Sequence, residues 1–183
     1  MPCVPSNYNN IIATLEHHDR VHIVELWGVS SSLLETFPAE TQKPFPNLTF
    51  LELLSDGRGT ALVVTDSHSG GLAPHLQTVH LKGITFPPVI ELLLSATDLV
   101  DLDLWNIPHS GFVLAGAIIT CPDVMTRLKT FYLGLHSRRS HPNTETQHPP
   151  LSNRTVLPAL IHFKYRGVGE SLEDLVARMD TPC

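Results

Sequence analysis

Several groupings of residues in this chain have types and spacings that could do chemistry. Histidines number eleven, and His17, His18 and His22 cluster, with His18 and His22 at the i, i+4 spacing of metal ligands on a helix. The helix that carries the first two should end near Asp19-Arg20, which puts His22 in the following strand. No cysteine or carboxylate completes a set with recognised ligand spacing, so no metal site is expected. Ser67-His68-Ser69-Gly70-Gly71 has the outline of a nucleophile elbow but lacks the first glycine of GxSxG. Asp56-Gly57-Arg58-Gly59-Thr60 is glycine-rich without the Lys-Ser/Thr pair of a phosphate-binding loop. Both read as turns. Asp101 and Asp103 lie on one face of a strand, as a catalytic carboxylate pair should, but on an open surface they should be solvated, with little reason for a raised pKa. A hydrolase would need a serine or carboxylate site that these residues do not assemble. No catalytic residue and no cofactor is expected, and what is left is binding.

Binding residues need elements to position them, and the chain supplies these by repetition. Six segments carry an aliphatic or aromatic residue at relative positions one, four and six: Val21-Val24-Leu26, Leu48-Leu51-Leu53, Leu76-Val79-Leu81, Leu99-Leu102-Leu104, Leu128-Phe131-Leu133 and Leu160-Phe163-Tyr165. Successive copies are 27, 28, 23, 29 and 32 residues apart, in or near the ~20–29 residue period of leucine-rich repeats. Four copies also end alike, as Trp27-Gly28-Val29, Lys82-Gly83-Ile84, Trp105-Asn106-Ile107 and Arg166-Gly167-Val168. A small or turn-prone residue before an aliphatic one should close each strand with the same bend. Between copies, apolar residues at i, i+3, i+4 and i+7 mark amphipathic helices: Tyr8-Ile11-Ile12-Leu15, Val89-Leu92-Leu93-Ala96, Leu114-Ala117-Ile118-Cys121 and Leu172-Leu175-Val176-Met179. Pro87 and Pro88 suit a first helical turn, Ser110 and Ser171 suit N-caps, and Ser32 with Glu35 has capping-box spacing ahead of Pro38.

Strand and helix alternating in this way predict an α/β fold: a parallel sheet with helices on one side. One strand and one helix cannot bury an apolar face alone, but stacked copies share a core. Because helices are wider than the ~4.8 Å strand spacing, the stack should curve into a short leucine-rich-repeat solenoid, strands concave and helices convex. We read 1–183 as one such domain of about six repeats, with strands near 21–29, 48–54, 76–84, 99–107, 128–134 and 160–168. Leu54–His75 reads as a loop with a short strand or helical turn, and the polar, proline-bearing 136–155 as a mobile loop. Nothing at either end reads as a polar cap, which leaves open that the chain belongs to a longer array.

In each strand, positions three, five and seven should face outward together. This face then carries Glu25, Trp27, Glu52, Asp101, Asp103, Trp105 and Tyr132, our candidate protein-binding residues, with the last strand basic through Lys164 and Arg166. Tryptophans ringed by charge suit a protein-binding hot spot. The alternative is that either tryptophan packs under a neighbouring loop as edge core. Six strands of about five residues give a face of roughly 400 Å², against about 800 Å² per partner in a standard interface. Loops must contribute, or the working array is longer.

Composition narrows the partner. A net charge of −6 leaves no broad cationic field for nucleic acid. No apolar run approaches the ~20 residues that span a bilayer, and Met1–Asn10 lacks the basic-then-apolar pattern of a signal peptide. Cys3, Cys121 and Cys183 cannot all pair and none has CxxC spacing, so a reducing, intracellular setting, cytoplasmic or nuclear, is expected. Arg138-Arg139-Ser140 is a weak phosphorylation signal. The sequons at Asn47 and Asn153 are expected to be unused, with Leu48 in a core position.

Two stretches, LLLSATDLVDLDLWNIPHSG (Leu92–Gly111) and TVLPALIHFKYRGVGESLEDLVARMD (Thr155–Asp180), resemble the leucine-rich-repeat region of fungal F-box/LRR-like proteins, and the resemblance runs over nearly the whole chain. It implies a β/α horseshoe used for protein recognition. In complete F-box proteins the F-box docks on the adaptor of a cullin–RING ubiquitin ligase while the repeats select a substrate. The sequence departs from that plan: no F-box is found, Met1–Arg20 being too short for one, and the ninth repeat position holds Val29, Ile84, Ile107 and Val168 in place of a polar ladder. The expectation is a non-catalytic protein-interaction module. Its most specific version is substrate recognition for an SCF-type ubiquitin ligase, with the adaptor a partner only if an F-box lies outside this chain. A truncated or diverged repeat fragment with a structural or self-associating role is the alternative.

Overall fold

The computed structural model describes residues 11, 13–29, 43–55, 72–84, 92–107, 126–135, 155–167 and 179–180. Eight strands fall in these ranges: β1 (Ile23–Val29), β2 (Phe50–Ser55), β3 (Thr78–Lys82), β4 (Asp101–Ile107), β5 (Thr130–Leu135), β6 (Thr155–Val156), β7 (His162–Arg166) and β8 (Met179–Asp180). Six of them, one per sequence copy, form an all-parallel sheet in the order β1-β2-β3-β4-β5-β7. With helical turns at 13–15 and 92–95 packed beside it, the fold is α/β.

Register keeps equivalent positions of the copies in rows. Val24, Leu51, Val79, Leu102, Phe131 and Phe163 are successive neighbours, and so are Leu26, Leu53, Leu81, Leu104, Leu133 and Tyr165. These rows, with Leu48, Leu76, Leu99 and Leu128 at the first position, build the core. Leu15, Phe45, Ala73, Leu92, Leu93, Ala96 and Leu157, from the segments before the strands, belong to the same buried cluster. The apolar side chains stack because the register brings like to like, and each row buries what a lone copy would expose.

Two backbone devices repeat with the sequence. The carbonyl at position two of the first five copies, just before the strand, accepts two amide bonds from the next copy: His22 O from Thr49 (2.8 Å) and Phe50 (3.2 Å), Thr49 O from Gln77 (2.9 Å) and Thr78 (3.1 Å), Gln77 O from Val100 (2.8 Å) and Asp101 (3.0 Å), Val100 O from Lys129 (2.8 Å) and Thr130 (3.1 Å), Lys129 O from Ile161 (2.9 Å) and His162 (2.9 Å). The second device lies at position eight. Gly28 (φ 67°), Gly83 (φ 69°) and Asn106 (φ 53°) adopt the left-handed conformation, open to glycine and tolerated by asparagine. At Gly28 and Asn106 the pairing register slips by one residue. Simple alternation would turn position nine outward; the extra left-handed residue turns it in, and Val29, Ile84 and Ile107 are buried. Gly167 does not share this conformation, and Val168 lies outside the described residues.

Two expectations are corrected. Met179, read as the last apolar position of a helix, is extended and pairs with Thr155 in the two-stranded β6–β8 sheet; a backbone ladder replaces the helical period there. Thr155 accordingly belongs to a strand, not to the end of a mobile loop. The first helical segment stops at Leu15, and a 3-10 turn at His18–Arg20 leads into β1. The set Leu114–Cys121, most of Leu172–Met179, the Ser32, Pro87, Ser110 and Ser171 start signals, loop residues 56–71 and 136–154, and all three cysteines lie outside the described residues.

Candidate functional site

All seven candidate residues sit on one face of the six-stranded sheet, in three rows. Glu25, Glu52, His80, Asp103, Tyr132 and Lys164 form one row. Trp27, Leu54, Lys82 and Trp105 run beside it, and Gly134 and Arg166 continue that row on β5 and β7. A third row runs from Ile23 through Phe50, Thr78, Asp101 and Thr130 to His162.

The face is not uniform. Its β1–β2 side is acidic and apolar. Trp27 is 72 % exposed and Ile23 61 %. The Trp27 indole Nε1 donates to Glu52 Oε2 at 2.6 Å, which fixes the ring beside β2 while leaving most of it in water. Glu52 is also 3.6 Å from His80 Nδ1, and the His80 ring meets Phe50 edge-on at 5.5 Å. Glu25, next to Glu52 in register, makes no ion pair among the described residues. Two carboxylates on adjacent strands repel unless a cation joins them.

The β4–β7 side is aromatic and capped by cations. Trp105 stacks on Tyr132 with ring centroids 5.1 Å apart and planes 19° from parallel. The Arg166 guanidinium lies over the Trp105 ring at 5.1 Å, and Lys164 Nζ over Tyr132 at 5.0 Å. Gly134 makes room for this: a Cβ there would stand 2.8 Å from Trp105 Cε3. The two tryptophans are therefore not equivalent. Trp105 packs against its neighbouring strands, in part the alternative role foreseen for it, with strand side chains in place of a loop. Trp27 alone projects. Burial raises the pKa of Tyr132, opposed by Arg166 and helped by Asp103.

Between the two halves, Asp101 and Asp103 flank His80, whose Nε2 is 4.0 Å from Asp101 Oδ1. The expectation that both aspartates are freely solvated is corrected for Asp103. Its Oδ1 is buried without a hydrogen-bond partner among the described residues. Burial raises its pKa, and Asp101 adds to this, while His80 and Lys164 oppose it.

Sequence reading passed over the cationic cap and Gly134. The repeat supplies the register that aligns Tyr132 with Lys164 and Gly134 with Arg166, but not how far the two cationic side chains reach over the rings. Other features lie off this face. His18 bonds to Pro44 O at 2.7 Å and packs on Phe45, and His22 lies beyond the helical turn, just before β1. Among the described residues no group of three or more His, Cys, Asp or Glu is placed to hold a metal, and none of their helices is long and apolar enough to cross a membrane. Asn47 is engaged with Asp19 O at 2.6 Å, and Leu48 is buried. The Ser67–Gly71 and Asp56–Thr60 motifs lie outside the described residues.

No family model matches the chain, and no curated protein or solved structure matches it either.

Proposed function

We propose that this chain is a non-catalytic protein-interaction module, built as a leucine-rich-repeat α/β solenoid whose strand face is the concave, binding side. One observation carries the reading: Trp27 stands 72 % exposed on a regular sheet face, steered by Glu52 and flanked by Glu25, whose carboxylate makes no ion pair among the described residues. Exposed aromatic side chains held in a fixed pose are the usual anchors of protein interfaces. The acidic, apolar half of the face favours a partner that brings an apolar side chain to Trp27 and Ile23 and a basic one to Glu25. The sequence period and the resemblance of Leu92–Gly111 and Thr155–Asp180 to F-box/LRR-like proteins support substrate recognition for an SCF-type ubiquitin ligase as the most specific form, in a product that joins these repeats to an F-box, in the cytoplasm or nucleus. The test is capture from source cells with mass-spectrometric identification. Wild type runs beside a Trp27→Ala/Trp105→Ala variant shown by circular dichroism to be folded. A protein retained by the first and lost by the second supports the reading, ligase components alongside it favour the ubiquitin form, and identical captures refute both.

A further inference from the structure

The two outer strands of the sheet are complementary to each other. Among the described residues, nothing pairs with the outer side of β1 or of β7. The β1 edge presents Ile23 and Trp27, 61 % and 72 % exposed, around Glu25. The β7 edge presents Ile161, 67 % exposed, beside Lys164 and Arg166. Both strands are parallel to every other strand of the sheet, and both carry the same repeat positions.

From this we infer that the chain self-associates head to tail, β1 of one copy adding to β7 of the next in the register that already runs through the sheet. Three features favour a second copy of this chain over an unrelated strand. The register would set Glu25 beside Lys164, an opposite-charge pair at position five, and Trp27 beside Arg166, which already lies over a tryptophan ring in the Trp105 contact. The two-amide bond to the position-two carbonyl recurs five times, and the joint offers its sixth instance, with His22 and Ile23 amides donating to Ile161 O. Finally, charge disfavours pairing of like edges: two Glu25 side chains facing each other across a β1–β1 joint repel, whereas Glu25 and Lys164 attract. An interface between unlike edges is heterologous, so it propagates into a ring or an open chain of copies.

The inference rests on the sheet edges, and it shares Glu25 and Trp27 with the proposed capture of a foreign protein by the face; sedimentation of the chain alone, with no partner present, tests it separately from that reading. Sedimentation velocity of the full chain against concentration tests it. Wild type should self-associate. Glu25→Lys and Lys164→Glu, both at exposed positions, should each weaken association about tenfold, since an attractive cross-strand pair becomes a repulsive one. The double variant, and an equimolar mixture of the two single variants, should recover it. A wild type that stays monomeric, an association indifferent to both swaps, or a failure of the double variant and the mixture to recover would each overturn the inference. Circular dichroism of each variant separates misfolding from lost contact, and the mixture decides the matter even if one variant is less stable.

Discussion

Asp103 keeps one carboxylate oxygen shut from water with no hydrogen-bond partner among the described residues, and burial holds its pKa above the ordinary carboxylate value. The folded chain therefore binds this proton more tightly than the unfolded chain does. The group's contribution is fully favourable only below the unfolded carboxylate pKa, and it is lost as pH rises through the raised folded value. Asp103→Asn should raise the Tm at neutral pH, and its advantage should shrink as the pH falls into the carboxylate range; thermal melts of both proteins across pH check this, and a constant offset contradicts it. Gly134 makes a second residue-scale case. An alanine there drives a Cβ to 2.8 Å from the Trp105 ring, so the indole must leave Tyr132 and Arg166. Gly134→Ala should destabilise by roughly 1–3 kcal/mol and alter the near-ultraviolet circular dichroism of the stack. A melt and spectrum matching wild type would mean that the ring has other room.

At the scale of the element, the strand ending decides where position nine points. Gly28 and Gly83 both have positive φ, but a Cβ at Gly28 meets nothing within 4 Å while one at Gly83 stands 3.3 Å from Ser55 Cβ. Alanine at either site incurs the left-handed backbone penalty of roughly 1–2 kcal/mol. Gly83→Ala should be the more damaging, because Ser55 must also give way, and chemical denaturation of the two variants ranks them. The turns before the strands carry their own ladder: Asp98 accepts from His75 at 3.1 Å and from Arg127 at 2.5 Å, and these partners, the His75 bond foremost, hold its pKa down. This contribution is present above the ordinary carboxylate pKa and is lost as pH falls through the lowered value, the reverse of Asp103. The strands and their outward rows were legible in the sequence because alternation and a shared period act together. The tail bend was legible in three of the four copies read as ending alike: Gly28, Gly83 and Asn106 take it, whereas Gly167 does not. What sequence could not give was the burial of Asp103 and the cap over Trp105 and Tyr132. Those depend on how far Lys164 and Arg166 reach across neighbouring strands, which no single-strand pattern encodes. Met179 was misread because an apolar residue at helical spacing can equally end in a short strand when a backbone partner such as Thr155 is near.

For the whole molecule, the face is graded from an acidic, apolar β1–β2 side to a cation-capped β4–β7 side, and the gradient gives it a direction. A partner bound on the face and a second copy joined at its edges would both use the neighbourhood of Glu25, so self-association should compete with capture and weaken at dilution. The proposed interaction role rests on Trp27, and the most direct measurement is the affinity of a captured partner for wild type, Trp27→Ala and Asp98→Asn, by calorimetry at concentrations where the chain is monomeric. If the face is the binding site, Trp27→Ala loses roughly thirtyfold or more, the scale of a hot-spot truncation, and Asp98→Asn, at the turns away from the face, binds as wild type does. Equal affinities for wild type and Trp27→Ala would contradict a binding role for the face.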